Sequence, residues 1–162
     1  MERENIIREF VEEDMEDILD IFNVFVEGFA VYCETKLNIE YLKGLLEKTK
    51  IILVLQASEK VIGFGYISSY HPCPSFNSTG VLTYFILPEY TGKGLGTELF
   101  NRLISKGKEI GITNYLAHVS SKNLQSLNFH KKHGFIETGK FKEICTKFNE
   151  TIDVVWFQKQ FK

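Results

Sequence analysis

The chain is short of cysteine, of long apolar runs and of excess charge of either sign, and each shortage argues against a class of protein. Three cysteines, Cys33, Cys73 and Cys145, stand far apart, odd in number and without a CxxC pair. That pattern argues against a disulfide framework and against a structural zinc site. No apolar stretch approaches the roughly 20 residues of a membrane-spanning helix. The opening MERENIIREF is charged and has no apolar h-region, so it does not read as a secretion signal. Net charge is −2 with no basic tail, which leaves no clustered Lys and Arg to neutralise phosphates; nucleic acid is not an expected partner. The expectation is a reduced, cytoplasmic, soluble protein with no metal and no membrane contact.

What is present is an ordinary globular balance. Apolar residues make up 44% of the 162 residues and charged residues 25%. A chain of this length buries roughly 68–70% of its unfolded surface, enough for a core without staples. One domain spanning 1–162 is expected, with no repeat, linker or low-complexity segment.

Periodicity gives the element order. NIIREFV (5–11) reads as a strand, and EEDMEDILDIFNVFVEG (12–28) as a helix with Ile18, Ile21, Phe22 and Phe25 on one face. NIEYLKGLLEKTK (38–50) is a second helix, with Asn38 as its N-cap. IILVLQA (51–57) and VIGFGYISSY (61–70) form a hairpin across Ser58-Glu59-Lys60. HPCPSFNST is a loop. VLTYFIL (81–87) is a fourth strand, followed by a helix from about Leu95 to Ile110. YLAHV (115–119), a helix at 123–133, FIETGKF (135–141) and TIDVVWFQKQF (151–161) complete the chain. The order β-α-α-β-β-β-α-β-α-β-β predicts an α/β protein with a mixed sheet and helices on both faces.

The segment PEYTGKGLGTEL (88–99) carries three alternating glycines, Gly92, Gly94 and Gly96, between a strand and a helix. Glycine at that density is costly in an ordered element. A bare turn opening a helix presents free N–H groups and a positive helix end, an anion-binding device. Two nucleotide motifs fail. Lys93 lies between glycines with no Ser or Thr after it, so this is not a P-loop. Thr97 stands where a dinucleotide fingerprint needs glycine, and the region around NYLAHV has no acidic residue.

LPEYTGKGLGTELFNRLI followed by NLQSLNFHKKHGFIETGKF resembles the GNAT N-acetyltransferases, and within them the phosphinothricin acetyltransferase branch. The family's pyrophosphate turn corresponds to Thr91-Gly92-Lys93-Gly94-Leu95-Gly96. Its later segment corresponds to Asn123, Ser126, His130, Gly134 and Phe135, and the closing DVVWFQ with Asp153 is also typical. The resemblance covers nearly the whole chain. It implies transfer of an acetyl group from acetyl-CoA to a primary amine. By that resemblance Phe85 and Ile86 pair their backbone with the pantetheine arm. Gly92, Lys93, Gly94, Leu95, Gly96 and Thr97 hold the pyrophosphate, and Asn123 and Ser126 contact the arm or phosphates. A homodimer is implied by the branch, and VVWFQKQF is apolar enough to support an interface or, equally, to be core.

Direct attack of an amine on a thioester needs proton removal, stabilisation of the charging oxygen and protonation of sulfur, but no protein nucleophile or metal. Two departures from the family pattern bear on this. Thr91 replaces the usual Arg or Gln, which predicts weaker phosphate binding that Lys93 partly restores. Val81 falls where the branch carries a glutamate base, and a valine takes no proton. Candidate replacements are His130, as base or acid, otherwise a helix-surface histidine; His118, otherwise a buried hydrogen-bonded one; and Tyr84, otherwise core. Tyr32 and Glu34, in the loop after the first helix, are candidates for acceptor binding. The aromatic segments FVEGFAVYCETKLN and SYHPCPSFNS point to a small amine with an apolar part, such as an amino acid or analogue. A peptide or protein amine, a coenzyme A-binding module with little catalysis, and a phosphate-binding fold unrelated to acyl transfer are the alternatives.

Overall fold

A computed structural model describes residues 5–162, so the first four residues of the charged opening segment and of the expected domain lie outside it. The seven strands are β1 (Asn5–Glu9), β2 (Thr49–Ala57), β3 (Lys60–Ser69), β4 (Thr79–Ile86), β5 (Asn114–Ser120), β6 (Ile136–Lys147) and β7 (Glu150–Gln160). The helices are α1 (Met15–Val26), α2 (Ile39–Leu46), α3 (Leu95–Glu109) and α4 (Leu124–Lys132). The order along the chain is the one periodicity predicts. The strands form one sheet in the order β1-β2-β3-β4-β5-β7-β6, antiparallel throughout except for β4 and β5.

Two apolar clusters lie on the two faces. Ile18, Ile21 and Phe22 of α1 and Leu42 of α2 pack with Phe64 and Tyr66 of β3. Leu99 and Leu103 of α3 pack with Ile67, Tyr115 and Phe157 on the other face. Gly65 permits that approach, since a Cβ there would meet Leu103 Cδ1 at 2.6 Å.

Boundaries differ from expectation where a local signal competes with periodicity. α2 stops at Leu46 rather than Lys50: the Thr49 hydroxyl donates to the Leu45 carbonyl at 3.0 Å, and Thr49 already belongs to β2. The sixth strand runs on to Lys147, well past Phe141. A register shift between Phe141 and Cys145, with Glu143 at φ 51, breaks the period of two. Asp153 holds that bulge by accepting the Glu143 N–H at 2.8 Å.

The parallel pairing of β4 with β5 covers only Thr79–Val81 against Asn114–Leu116 and then ends. Beyond that rung β4 continues to Ile86, paired only with β3, while β5 continues to Ser120, paired only with β7. The splay opens a gap through the sheet and leaves one edge of β4 with free backbone groups.

Candidate active site

The gap is the floor of a cleft of about 460 Å³. Tyr84, Phe85 and Ile86 line it from β4, and Ala117, His118, Val119 and Ser120 from β5. The glycine turn closes one end with Thr91, Gly92, Gly94, Gly96 and Thr97, and α4 contributes Asn123, Ser126, Phe129 and His130. Phe25, Ala30 and Tyr32 come from α1 and the loop after it.

The turn has the form the sequence implies. Gly92 and Gly94 sit at φ 76 and 80, where a side chain is strained, and no atom lies within 4 Å of where their Cβ would be. Gly94 is the N-cap of α3 and offers no side-chain cap. The first helical bond runs from the Glu98 N–H to the Gly94 carbonyl at 3.1 Å, so the N–H groups of Leu95, Gly96 and Thr97 lack helical partners at the positive end of a 15-residue helix. Free amides, open space and a cleft of this volume fit a pyrophosphate and its attached arm. The side chains of Lys93 and Leu95 stand apart from the cleft. Lys93 does not line the cleft, and its Nζ lies 5.6 Å from the Tyr90 ring centroid. The Leu95 side chain is buried in the α1-side core. Asn123 caps α4 by accepting the Ser126 N–H at 3.2 Å.

Tyr84 and His130, read separately from the sequence, are one unit. His130 Nδ1 lies 2.7 Å from the Ser126 carbonyl oxygen, which can only accept, so Nδ1 carries the proton. Nε2 is then the acceptor for the Tyr84 hydroxyl at 2.5 Å. His130 is 3% exposed and its ring stacks on Phe157, so it is not a helix-surface residue. Burial pulls its pKa down to about 4; the Ser126 carbonyl opposes the shift and His133 adds to it. Burial also drives the Tyr84 phenol well above its usual range. At neutral pH both are uncharged and the proton sits on Tyr84 oxygen.

His118 stands on the opposite face. Ala117 and Val119 point into the α3-side core, so the alternation of the strand turns His118 toward the α1 side. Its Nδ1 is 3.3 Å from Tyr32 Oη, and Trp156 packs against its ring at a centroid distance of 5.0 Å. The ring remains open to solvent, yet these neighbours desolvate it enough to lower its pKa. Tyr32 and His118 also form one wall of a shallow bowl of about 380 Å³, whose remaining lining includes Phe141, Ile144, Val154 and Trp156.

Two sequence expectations are redirected. Glu34 lines neither the cleft nor the bowl; its Oε1 accepts the Phe148 N–H at 2.5 Å. VVWFQKQF is not a free edge: β7 lies between β5 and β6, with Val155 and Phe157 buried. Val81 sits in the last paired rung, 9% exposed and outside the cleft lining, so it offers nothing to a reacting group. Sequence reasoning pointed to the segment that holds Phe25 and Ala30 but singled out neither residue for the site, and it read Trp156 only as part of the closing strand. Among the described residues no cluster of His, Cys, Asp or Glu could hold a metal ion, and no helix is long and apolar enough to cross a membrane.

A family model described as acetyltransferase (GNAT) family matches residues 15–135. A protein named L-amino acid N-acyltransferase MnaT, from Escherichia coli, is 29% identical over 67% of this chain; the match spans 63% of that relative, less than two thirds of its length. A protein named L-methionine sulfoximine/L-methionine sulfone acetyltransferase, from Pseudomonas aeruginosa, is 25% identical over 94% of this chain and 92% of its own. The solved structure of a GNAT superfamily phosphinothricin acetyltransferase from Sinorhizobium meliloti, in complex with acetyl-CoA, superposes with a TM-score of 0.89 over 97% of this chain and 88% of that one, at 22% identity.

Proposed function

The chain belongs to the acetyltransferase (GNAT) family, and on that footing we propose that it moves an acetyl group from acetyl-CoA to the primary amine of a small molecule with an apolar part, in a ternary complex. Acetyl-CoA is the co-substrate of this enzyme class. The observation that carries the reading is the opening between β4 and β5, which joins the anion-binding turn on one side of the sheet to titratable groups on both faces.

Acetyl-CoA supplies an acetyl thioester; the amide bond forms as the carbon–sulfur bond breaks, and the amine's proton ends on sulfur. The free edge of β4 at Phe85 and Ile86 holds the arm as an added strand does. The turn from Gly92 to Thr97 holds the phosphates. Amines arrive as ammonium ions. His118, neutral at pH 7, takes the first proton and releases it to solvent, which it faces. That role requires Nδ1–H to donate to Tyr32 Oη, leaving Nε2 as the base. The proton lost on attack passes through Tyr84: its oxygen receives one proton as its own moves to His130 Nε2, and the return step delivers a proton to sulfur. The Ser126 carbonyl at Nδ1 steadies the transient charge.

The bowl receives the acceptor's apolar part. Aromatic and aliphatic walls suit an amino acid with an uncharged side chain or an analogue, in keeping with relatives named for L-amino acids and methionine sulfone. The test has two parts. Thermal unfolding is followed with acetyl-CoA, coenzyme A, ATP or NAD; selective stabilisation by the two coenzyme A species is expected, about 2.7 kcal/mol at a hundred times Kd. Thiol release is then followed across methionine sulfone, other apolar amino acids, simple alkylamines and N-terminal peptides. Turnover confined to peptides would replace the acceptor assignment. Coenzyme A binding with no turnover would favour a second reading, a binding module, which Val81 supports.

A further inference from the structure

Among the described residues Lys147 is the only lysine with no exposed surface, and the mechanism above does not use it. It ends β6, lying shallowly beneath the tip of the β6–β7 hairpin. Its Nζ donates to three carbonyls: Val26 at 2.7 Å, Gly28 at 2.5 Å and Val31 at 2.6 Å. An ammonium has three protons, and all three are used. Val26 and Gly28 close the C-terminal turn of α1, where carbonyls lack helical partners and the helix end is negative. Val31 directly precedes Tyr32. The ammonium therefore folds the loop back against the end of its own helix.

Neighbouring contacts tie the same two segments. The Phe148 N–H donates to Glu34, and the Phe148 ring meets Phe29 edge-on at a centroid distance of 6.2 Å. Phe148 and Asn149 make the hairpin turn at φ 52 and 60, a left-handed pair usually given to Asn-Gly. Asn23 brackets the far end of the loop, accepting the Leu37 N–H at 2.7 Å and donating to the Leu37 carbonyl at 3.1 Å. Ala30 and Tyr32, which line the cleft, lie between these anchors, with Tyr32 on His118.

We infer that Lys147 is a positioning residue for the acceptor amine: by clamping Val26, Gly28 and Val31 it sets the place of Tyr32, and through Tyr32 the orientation of His118. The inference rests on the acetyltransferase reading of the cleft. It assigns the β6–β7 hairpin tip, distant from the phosphate turn in sequence, to the acceptor half of the site alone.

The test compares Lys147→Met with the wild type in steady-state kinetics, coenzyme A calorimetry and amide hydrogen exchange. The expected result is an amine KM raised about tenfold or more, acetyl-CoA KM and coenzyme A affinity unchanged within about twofold, and faster exchange confined to residues 26–34. In a double-mutant cycle with Tyr32→Phe the two effects on amine KM are less than additive, which a purely structural cap does not produce. Should Lys147→Met fail to fold, Glu34→Ala severs the adjoining tie at the exposed rim and moves amine KM in the same direction. Equal loss of amine and coenzyme A binding, full additivity with Tyr32→Phe, or unchanged exchange and KM overturns the inference. If the wild type acetylates no amine, the proposed function falls by itself; the exchange of residues 26–34 then decides the clamp, faster exchange supporting it and unchanged exchange overturning it.

Discussion

Tyr84 shows how a side chain changes meaning once its partner is known. In sequence it is one aromatic among several in a strand; in the structure its hydroxyl is committed to His130 Nε2, whose other nitrogen is committed to a carbonyl. A buried pair with one proton between two acceptor atoms suits transfer, because neither member carries charge at rest. Tyr84→Phe is expected to lower kcat by roughly a hundredfold with acetyl-CoA KM unchanged within about twofold. Parallel changes in both constants would instead mean that Tyr84 serves packing against Phe129. The same burial has a cost in acid. Unfolded His130 binds a proton below about pH 6.5, whereas the folded residue resists until about pH 4, so stability falls as pH drops through that window. The loss amounts to roughly 3 kcal/mol at most. Chemical denaturation of His130→Gln between pH 7 and 4 should show that slope reduced, with the smaller part due to His118 remaining.

At the scale of the element, the glycine turn and the first helix carry separate duties. Gly94 in the left-handed region starts α3 with its amides free. Gly94→Ala is expected to cost about 1–2 kcal/mol of stability and to weaken coenzyme A binding by tenfold or more in calorimetry, since the strained cap moves the amides. Amine KM should hold. At the start of α1, Asp14 accepts two bonds from Arg8 at 2.8 Å and one from the Val11 N–H at 2.9 Å. Burial alone would raise its pKa; these three bonds outweigh that and lower it. Its contribution is therefore present above the usual carboxylate pKa near 3.8 and is lost as pH falls below it toward the folded value. Asp14→Asn should flatten the acid limb below pH 4 and leave the limb between pH 6.5 and 4 in place.

For the whole molecule, the two halves of the cleft belong to opposite faces of one sheet, and the splay of β4 from β5 joins them. The outer strand β6 exposes Ile136, Phe141 and Ile144, 72%, 56% and 59% accessible, a row of apolar side chains on a free edge. The homodimer that the family resemblance implies would self-associate through the Ile136 end of that edge, which lies outside the bowl, and leave Phe141 and Ile144 to the acceptor. Sedimentation at micromolar concentration should return a dimer, and Ile136→Lys a monomer; a monomeric wild type would overturn the homodimer that the resemblance implies.

The sequence by itself determined the element order, the faces of α1 and α3, and the bare glycine turn that opens α3, because periodicity and glycine spacing act over a few neighbouring residues. It also carried the family, through Gly92–Gly96 and Asn123–Phe135. It did not show that the sixth strand continues past Glu143, because a bulge held by Asp153 interrupts the alternation that marks a strand. Nor did it show that the Tyr84 hydroxyl donates to His130, 46 positions away, or that Lys147 reaches Val26 across 121. Those pairings depend on the sheet order and on where β4 and β5 part. Only the packed structure decides them, because burial sets which nitrogen holds a proton and which carbonyl an ammonium must find.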